Sequence, residues 1–253
     1  MKIILNEHAA AKQALDNHDL GKKPFQTLLC IARYYMDGGH TKRQARKLLE
    51  EFLLRCNSSI SLPKWSKLID NVIASAATRP AVQIDQIVIT RPEMEAIDTV
   101  VGVQTKRLAF TLLCLSKYWN VVNSRSDGWV NSQDSDIMRM ANISTSVKRQ
   151  SLLYHQLFEL GYIRFSKQVD NTNVQVCFDC EGEPALVITD FRNLGYQYLR
   201  YTGETFAECE NCGIVFRAKS STGRPRKYCN ECAHEIVLAQ NRDAIHKFRQ
   251  KKL

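Results

Sequence analysis

The stretch CENCGIVFRAKSSTGRPRKYCNEC, from Cys209 to Cys232, carries the clearest chemistry in the chain. Cys209, Cys212, Cys229 and Cys232 follow the pattern C-x2-C-x16-C-x2-C. In such a pattern each pair turns two thiolates toward one ion. Four thiolates fill the tetrahedral shell of Zn2+ and leave no position for water, so the expected ion is structural rather than catalytic. Gly213 follows the first pair, where a knuckle turn calls for positive φ. Phe216 and Tyr228 are placed to form a small apolar patch beside the ion. His234 and His246 are further imidazoles, but the four cysteines close the site without them. Both are expected on a helix surface or against phosphates.

The residues between and after the pairs are basic. Arg217, Lys219, Arg224, Arg226 and Lys227 stand among Ser220, Ser221, Thr222 and Gly223, with no acid between Gly213 and Asn230. The tail adds Arg242, Lys247, Arg249, Lys251 and Lys252 against Asp243. Hydroxyls, glycine and guanidiniums in one loop suit phosphate contacts. Arg224 or Arg226 is suited to enter a groove and read its width or a guanine. The chain of 253 residues carries a formal charge of +9, which favours an anionic partner without constraining the fold. DNA is the expected partner, with RNA an open alternative.

Other chemistry is missing. The sequence has no P-loop, no G-x-G-x-x-G after a strand, no H-E-x-x-H and no G-x-S-x-G, so an enzyme is not expected. The apolar run near the N-terminus is too short for a signal-peptide core, and no stretch approaches the roughly twenty apolar residues of a membrane span. A cytoplasmic protein is expected. There, nine cysteines read as metal ligands or buried thiols rather than as a disulfide framework. Cys30, Cys56 and Cys114 lie in apolar helical stretches and read as core. Cys177 and Cys180 form one more C-x-x-C, on an apparent strand, where side chains three apart point to opposite faces. They read as packed thiols, with a second metal or redox site as the alternative.

With 44% hydrophobic residues the chain can build real cores. The fold class read from it is mainly α with small β (α+β). A helical N-terminal lobe covers residues 1–80, a central winged helix 92–190, and a C-terminal zinc finger with a terminal helix 205–253. The lobe reads as four helices: EHAAAKQALDNHD; PFQTLLCIARYYMDGG, with Pro24 at its start and glycines at its end; TKRQARKLLEEFLLRCN, capped by Thr41; and SLPKWSKLIDNVIASAA, with Ser61 ahead of Pro63. Leu48, Leu49, Phe52, Leu53 and Cys56 share one face of the third. Leu62, Trp65, Leu68, Ile69, Val72 and Ile73 stripe the fourth. This lobe is the candidate for dimerisation or for holding a protein partner. TRPAVQIDQIVITRPEME then reads as a linker with one strand, 87–89.

From TKRLAFTLLCLSKYWNVV the order is helix, a short strand in DGWVN, a helix in SQDSDIMRMANIS capped by Ser132, a turn at ANIS, a longer helix over 144–160 closed by Gly161, and a hairpin from YIRFSKQV to VQVCFD. A strand over 186–188 and a helix over 190–201 follow; Tyr196, Tyr198, Leu199 and Tyr201 on that helix read as packing residues, with base stacking as the alternative. Residues 92–180, and the phrase DIMRMANISTSVKRQSLLYHQLFELGYI in particular, resemble winged-helix domains of bacterial and phage regulators and replication proteins. The run CENCGIVFRAK…RKYCNEC is similar to treble-clef-like C-x-x-C-G…K-Y-C-x-x-C fingers of phage and mobile-element proteins. The resemblance implies a recognition helix whose Ser144, Thr145, Ser146, Lys148 and Arg149 meet base edges, and a wing whose Arg164, Lys167 and Gln168 meet phosphates. The function it implies is a DNA-binding regulator or replication accessory factor. A protein-interaction module that inhibits or recruits an enzyme is the alternative.

Overall fold

The computed structural model describes residues 3–167, 173–218 and 226–250, the side chains of 243 and 246–250 excepted. The chain divides into two compact units, one ending at Gln86 and the other beginning at Ile87. The described residues are mainly helical with small sheets, the class expected from the sequence.

The first unit holds α1 (Glu7–Asn17), α2 (Pro24–Asp37), α3 (Lys42–Cys56) and α4 (Leu62–Ala76). Their starts follow from local chemistry. Asn6 caps α1 by accepting from the Ala9 N–H at 2.8 Å. Pro24 occupies the first turn of α2, where its missing N–H costs nothing. Thr41 and Gln44 form a reciprocal capping box on α3. The predicted apolar stripes meet inside: Leu28, Ile31, Leu49, Leu53, Ile69 and Val72 are fully buried. Cys30 is buried and Cys56 half-buried. Glu7 is buried with Arg33 at 2.7 Å and with Arg79 at 3.1 Å, and it also accepts the Val82 N–H at 3.0 Å. That carboxylate ties the segment after α4 back onto α1.

The second unit opens with β1 (Ile87–Thr90), α5 (Arg91–Thr99) and the long α6 (Val103–Val122). Helix α6 buries Leu108 through Leu115 on all sides, so it is the axis of this unit. Around it come β2 (Trp129–Val130), α7 (Asp134–Met140), α8 (Val147–Glu159), β3 (Ile163–Phe165) and β4 (Val174–Val176). These strands form an antiparallel sheet in the order β2-β4-β3. Strand β5 (Pro184–Ile188) pairs antiparallel with β1, Ile188 opposite Ile87. Helix α9 (Leu194–Tyr201), the hairpin β6 (Ala207–Glu208) and β7 (Val215–Phe216), and α10 (Asn230–Gln250) complete the chain. No described helix is long and apolar enough to cross a membrane.

Several local expectations are corrected. Helix α5 replaces what reads in sequence as the end of a linker. Its signal is the phrase T-R-P-E: Glu93 folds back to accept the Thr90 N–H at 2.7 Å, and Pro92 sits in the first turn. Ser132 does not cap α7. Gln133 holds that position, and the Ser132 hydroxyl instead accepts from Trp119 Nε1 at 3.2 Å. Helix α8 starts three residues after Ser144, because Ser146 is the cap, accepting from the Arg149 N–H at 3.4 Å. Helix α9 starts at Leu194 rather than near 190: the Asp190 carboxylate takes the Arg192 N–H at 2.8 Å, and Asn193 has φ 54°, so the chain turns before it can coil. Cys177 and Cys180 are exposed rather than packed, because β4 ends at Val176. Cys114 is buried as expected.

Candidate metal centre and nucleic-acid interface

The hairpin β6–β7 presents the first cysteine pair and the start of α10 presents the second. The Cys209 N–H donates to Ile214 O at 3.0 Å and the Gly213 N–H to Cys209 O at 2.8 Å. This closes a knuckle in which Gly213 takes φ 70°, a conformation that favours glycine. The Cys232 N–H points at Cys229 Sγ, 3.5 Å away. All four sulfurs lie within 4.8 Å of one another. Cys212 Sγ and Cys229 Sγ are 3.8 Å apart. A regular tetrahedron with Zn–S near 2.3 Å has sulfurs about 3.8 Å apart, so the donor set fits a tetrahedral ion in size and in chemistry. Phe216 is buried against the cluster, with Ala207, Ile214 and Tyr228 beside it, and Asn211 Nδ2 donates to Cys232 Sγ at 3.4 Å.

The thiols respond to this crowding. Burial pushes the Cys209 thiol up, but backbone hydrogen bonds from Cys229, Cys212 and Asn211 outweigh it and hold the group at about 6. Cys212 is raised, chiefly by burial. The Asn211 amide pulls Cys232 down, yet burial and the three neighbouring thiols push it up to about 12. Four thiolates this close need a cation among them. Cys229 and Cys232 also sit at the N-terminal end of α10, whose dipole favours negative sulfur.

The basic residues are less free than the sequence suggests. Chain folding brings acids to a stretch that contains none: Lys227 pairs with Glu210 at 3.1 Å, and Arg217 with Glu204 at 3.5 Å while lying over the Phe206 ring. Arg226 is half-buried over Phe216 and donates to Asn230 Oδ1 at 2.5 Å and to Tyr228 O at 3.3 Å. Arg242 and His234 are exposed on α10. Lys219 and Arg224 lie outside the described residues, as do the side chains of His246, Lys247 and Arg249. Of the α9 aromatics, Tyr198 and Leu199 are buried, Tyr196 is half-buried with its ring 4.9 Å from that of Phe206, and Tyr201 is exposed.

Around the start of α8, Ser144, Ser146, Lys148 and Arg149 are exposed, and Thr145 is half-buried, its carbonyl accepting from Gln150 Nε2 at 2.9 Å. Arg164 on β3 and Lys167 beyond it are also exposed. None of these four cations forms an ion pair with a described residue. Gln168 lies outside the described residues. An apolar surface that no motif announces stands further along α8: Leu152, Phe158, Leu160 and, on β3, Phe165 are all more than a third exposed. The Phe165 ring sits 5.2 Å from Phe158 and 5.5 Å from His155.

Comparison of the chain with protein-family models, with curated proteins and with solved structures finds no match. The cysteine cluster is therefore read from its own geometry: Cys209, Cys212, Cys229 and Cys232 are positioned to bind a metal ion.

Proposed function

We propose that the chain is a zinc-stabilised nucleic-acid-binding protein that docks duplex DNA through the start of α8 and its wing. It would serve in regulation or as a replication accessory factor. The observation that carries this reading is the exposed set Lys148, Arg149, Arg164 and Lys167, cations without acidic partners among the described residues, beside the hydroxyls of Ser144 and Ser146. In a winged helix the first turn of the second helix of the helix-turn-helix is the part that reaches base edges. The ion bound by the four cysteines is Zn2+ in a structural role, since no ligand position is left for water. Arg217, Arg226 and Lys227 are engaged within the finger, so its contribution to phosphate contacts falls to Lys219 and Arg224, outside the described residues, and to Arg242 with the rest of the basic tail.

The test is selection of the purified zinc-loaded protein on a random duplex library at about 150 mM salt. An enriched motif supports the reading, and its symmetry reports whether a dimer binds. Replacing Lys148 and Arg149 by alanine should then weaken binding and lower the salt slope by about 0.9 for each phosphate that is no longer neutralised. Absence of any retention sinks it.

A second reading has its own observation. The exposed apolar set Leu152, Phe158, Leu160 and Phe165 is unusual for a surface meant only for phosphates. It fits a module that binds and inhibits or recruits a protein. Phe158→Ser would abolish capture of such a partner while leaving duplex binding intact.

A further inference from the structure

The turn of the helix-turn-helix and the cysteine knuckle are joined by side chains whose roles the duplex-binding reading does not use. Asn142 forms that turn, with φ 56°. Its Oδ1 accepts the Tyr196 N–H at 3.1 Å, a donor shared with Asn193 O at 2.9 Å, and its Nδ2 donates to Asn193 Oδ1 at 2.9 Å. Asn193 in turn donates from Nδ2 to Val215 O at 2.8 Å. Val215 lies on β7, two residues beyond Gly213 of the knuckle. Beside it, Arg192 is held by Asp190, with Nε to Oδ2 at 2.6 Å, and donates from Nη2 to Cys212 O at 2.6 Å.

The chain of amides has only one consistent direction. A backbone N–H must donate, so the Asn142 atom facing Tyr196 is oxygen. Its nitrogen therefore faces Asn193, whose facing atom must be oxygen. The Asn193 nitrogen is then left for Val215 O, which can only accept. Both amide orientations are fixed by backbone groups at the two ends rather than by choice. Packing allows no slack: a Cβ on Gly195 would lie 2.0 Å from Ala141 O. From α6, Arg107 Nη1 donates to Asn142 O at 3.2 Å.

We infer that Asn142, Asn193 and Arg192 are positioning residues that couple the metal state of the knuckle to the order of the turn preceding α8. The inference rests on the four cysteines binding metal. The buried cluster of the finger consists, among the described residues, of Phe216 and three of the cysteines. Without an ion that cluster is too small to hold β7 in place. Losing β7 removes the Val215 carbonyl from Asn193 and the Cys212 carbonyl from Arg192. Asn193 then no longer has a fixed orientation to offer Asn142, and the turn loses one of its restraints. Metal occupancy thereby sets how well α8 is presented.

Amide hydrogen exchange on the full-length protein tests this, with zinc content measured in parallel and zinc then removed by a strong chelator. The expected result is faster exchange by about tenfold over residues 139–146, the loss of roughly one hydrogen bond's worth of protection, while 108–115 of α6 stay protected. Asn193→Asp keeps the acceptor for Asn142 and removes the donor to Val215. It should bind zinc like the parent, yet show raised exchange over 139–146 with or without the ion. If chelation opens only the finger, the coupling is wrong and the metal reading stands. If chelation also exposes 108–115, the finger supports the whole unit without a relay, and the inference falls. If the parent binds no zinc, both fall together. Should Asn193→Asp fail to bind zinc, chelation of the parent alone decides.

Discussion

The unit ending at Gln86 keeps twelve buried residues in one cluster, from Ala11 to Ala76. The cysteine module keeps four among the described residues, three of which are its own ligands. The first is built of four helices and the second of the β6–β7 hairpin and the start of α10, and the free energy that holds them comes from different places. In the first, apolar area removed from water does the holding, and the buried Glu7 carboxylate, paired with Arg33, fastens the segment after α4 through Arg79 and the Val82 N–H. In the second, area is scarce, and on the proposed reading sulfur–metal bonds supply what the core cannot. On that reading one chain contains a part indifferent to metal and a part that folds only with it. Each part should then fail alone.

The largest effect expected is at the ligands. Cys232→Ser removes one of four bonds in a site whose metal contributes about 10 kcal/mol to small zinc modules. Zinc content should drop to near zero and amide protection over 207–218 should vanish, with α1 to α4 unchanged. Loss of protection in both places would dissolve the comparison. Next comes the apolar unit: Leu49 is fully buried, and Leu49→Ala should cost about 4 kcal/mol. That cost should appear in denaturant unfolding of α1 to α4 and leave zinc stoichiometry untouched. Gly195→Ala, which forces a methyl onto the Ala141 carbonyl, should cost about 3 kcal/mol. It is read by unfolding of the second unit and sharpens the contrast by striking between the turn before α8 and the cysteine module.

The smallest effect is a pH dependence read in the first unit. Burial, with the charge of Glu7 adding to it, pushes the Cys30 thiol up to about 12. A pKa raised on folding lends stability that is complete below the ordinary thiol range near 9 and is lost as pH climbs toward 12. Thermal unfolding of α1 to α4 should therefore weaken between about pH 9 and 11, and Cys30→Ser should flatten that slope. An unchanged slope in Cys30→Ser would assign the pH dependence to other groups.

Much of this was legible in residue order. The stripe Leu49, Phe52, Leu53 and the stripe Ile69, Val72 announced their helices because period and burial agree. The knuckle was legible because two residues between cysteines is a geometric requirement of one ion. What escaped was set by distant partners. Sequence shows Arg217 and Lys227 in an acid-free run, but Glu204 and Glu210 reach them only once the hairpin closes. The turn at Asp190 that delays α9 depends on a side chain bonding its own backbone in preference to coiling. Cys177 and Cys180 were misplaced because the end of β4 is decided by its pairing with β2 and β3 rather than by its own residues.

The closeness of Gly195 to Ala141 has a consequence for tracing ancestry. Surfaces drift quickly, and a chain of this kind can lose every recognisable helix face while its internal junction stays intact. Any relative that keeps the junction must keep a residue without a side chain there. It must also keep carboxamides at the places of Asn142 and Asn193, ahead of the first cysteine pair. The ordered pattern Asn, then Asn-x-Gly, then C-x-x-C is thus a lineage marker drawn from residues that are buried or half-buried.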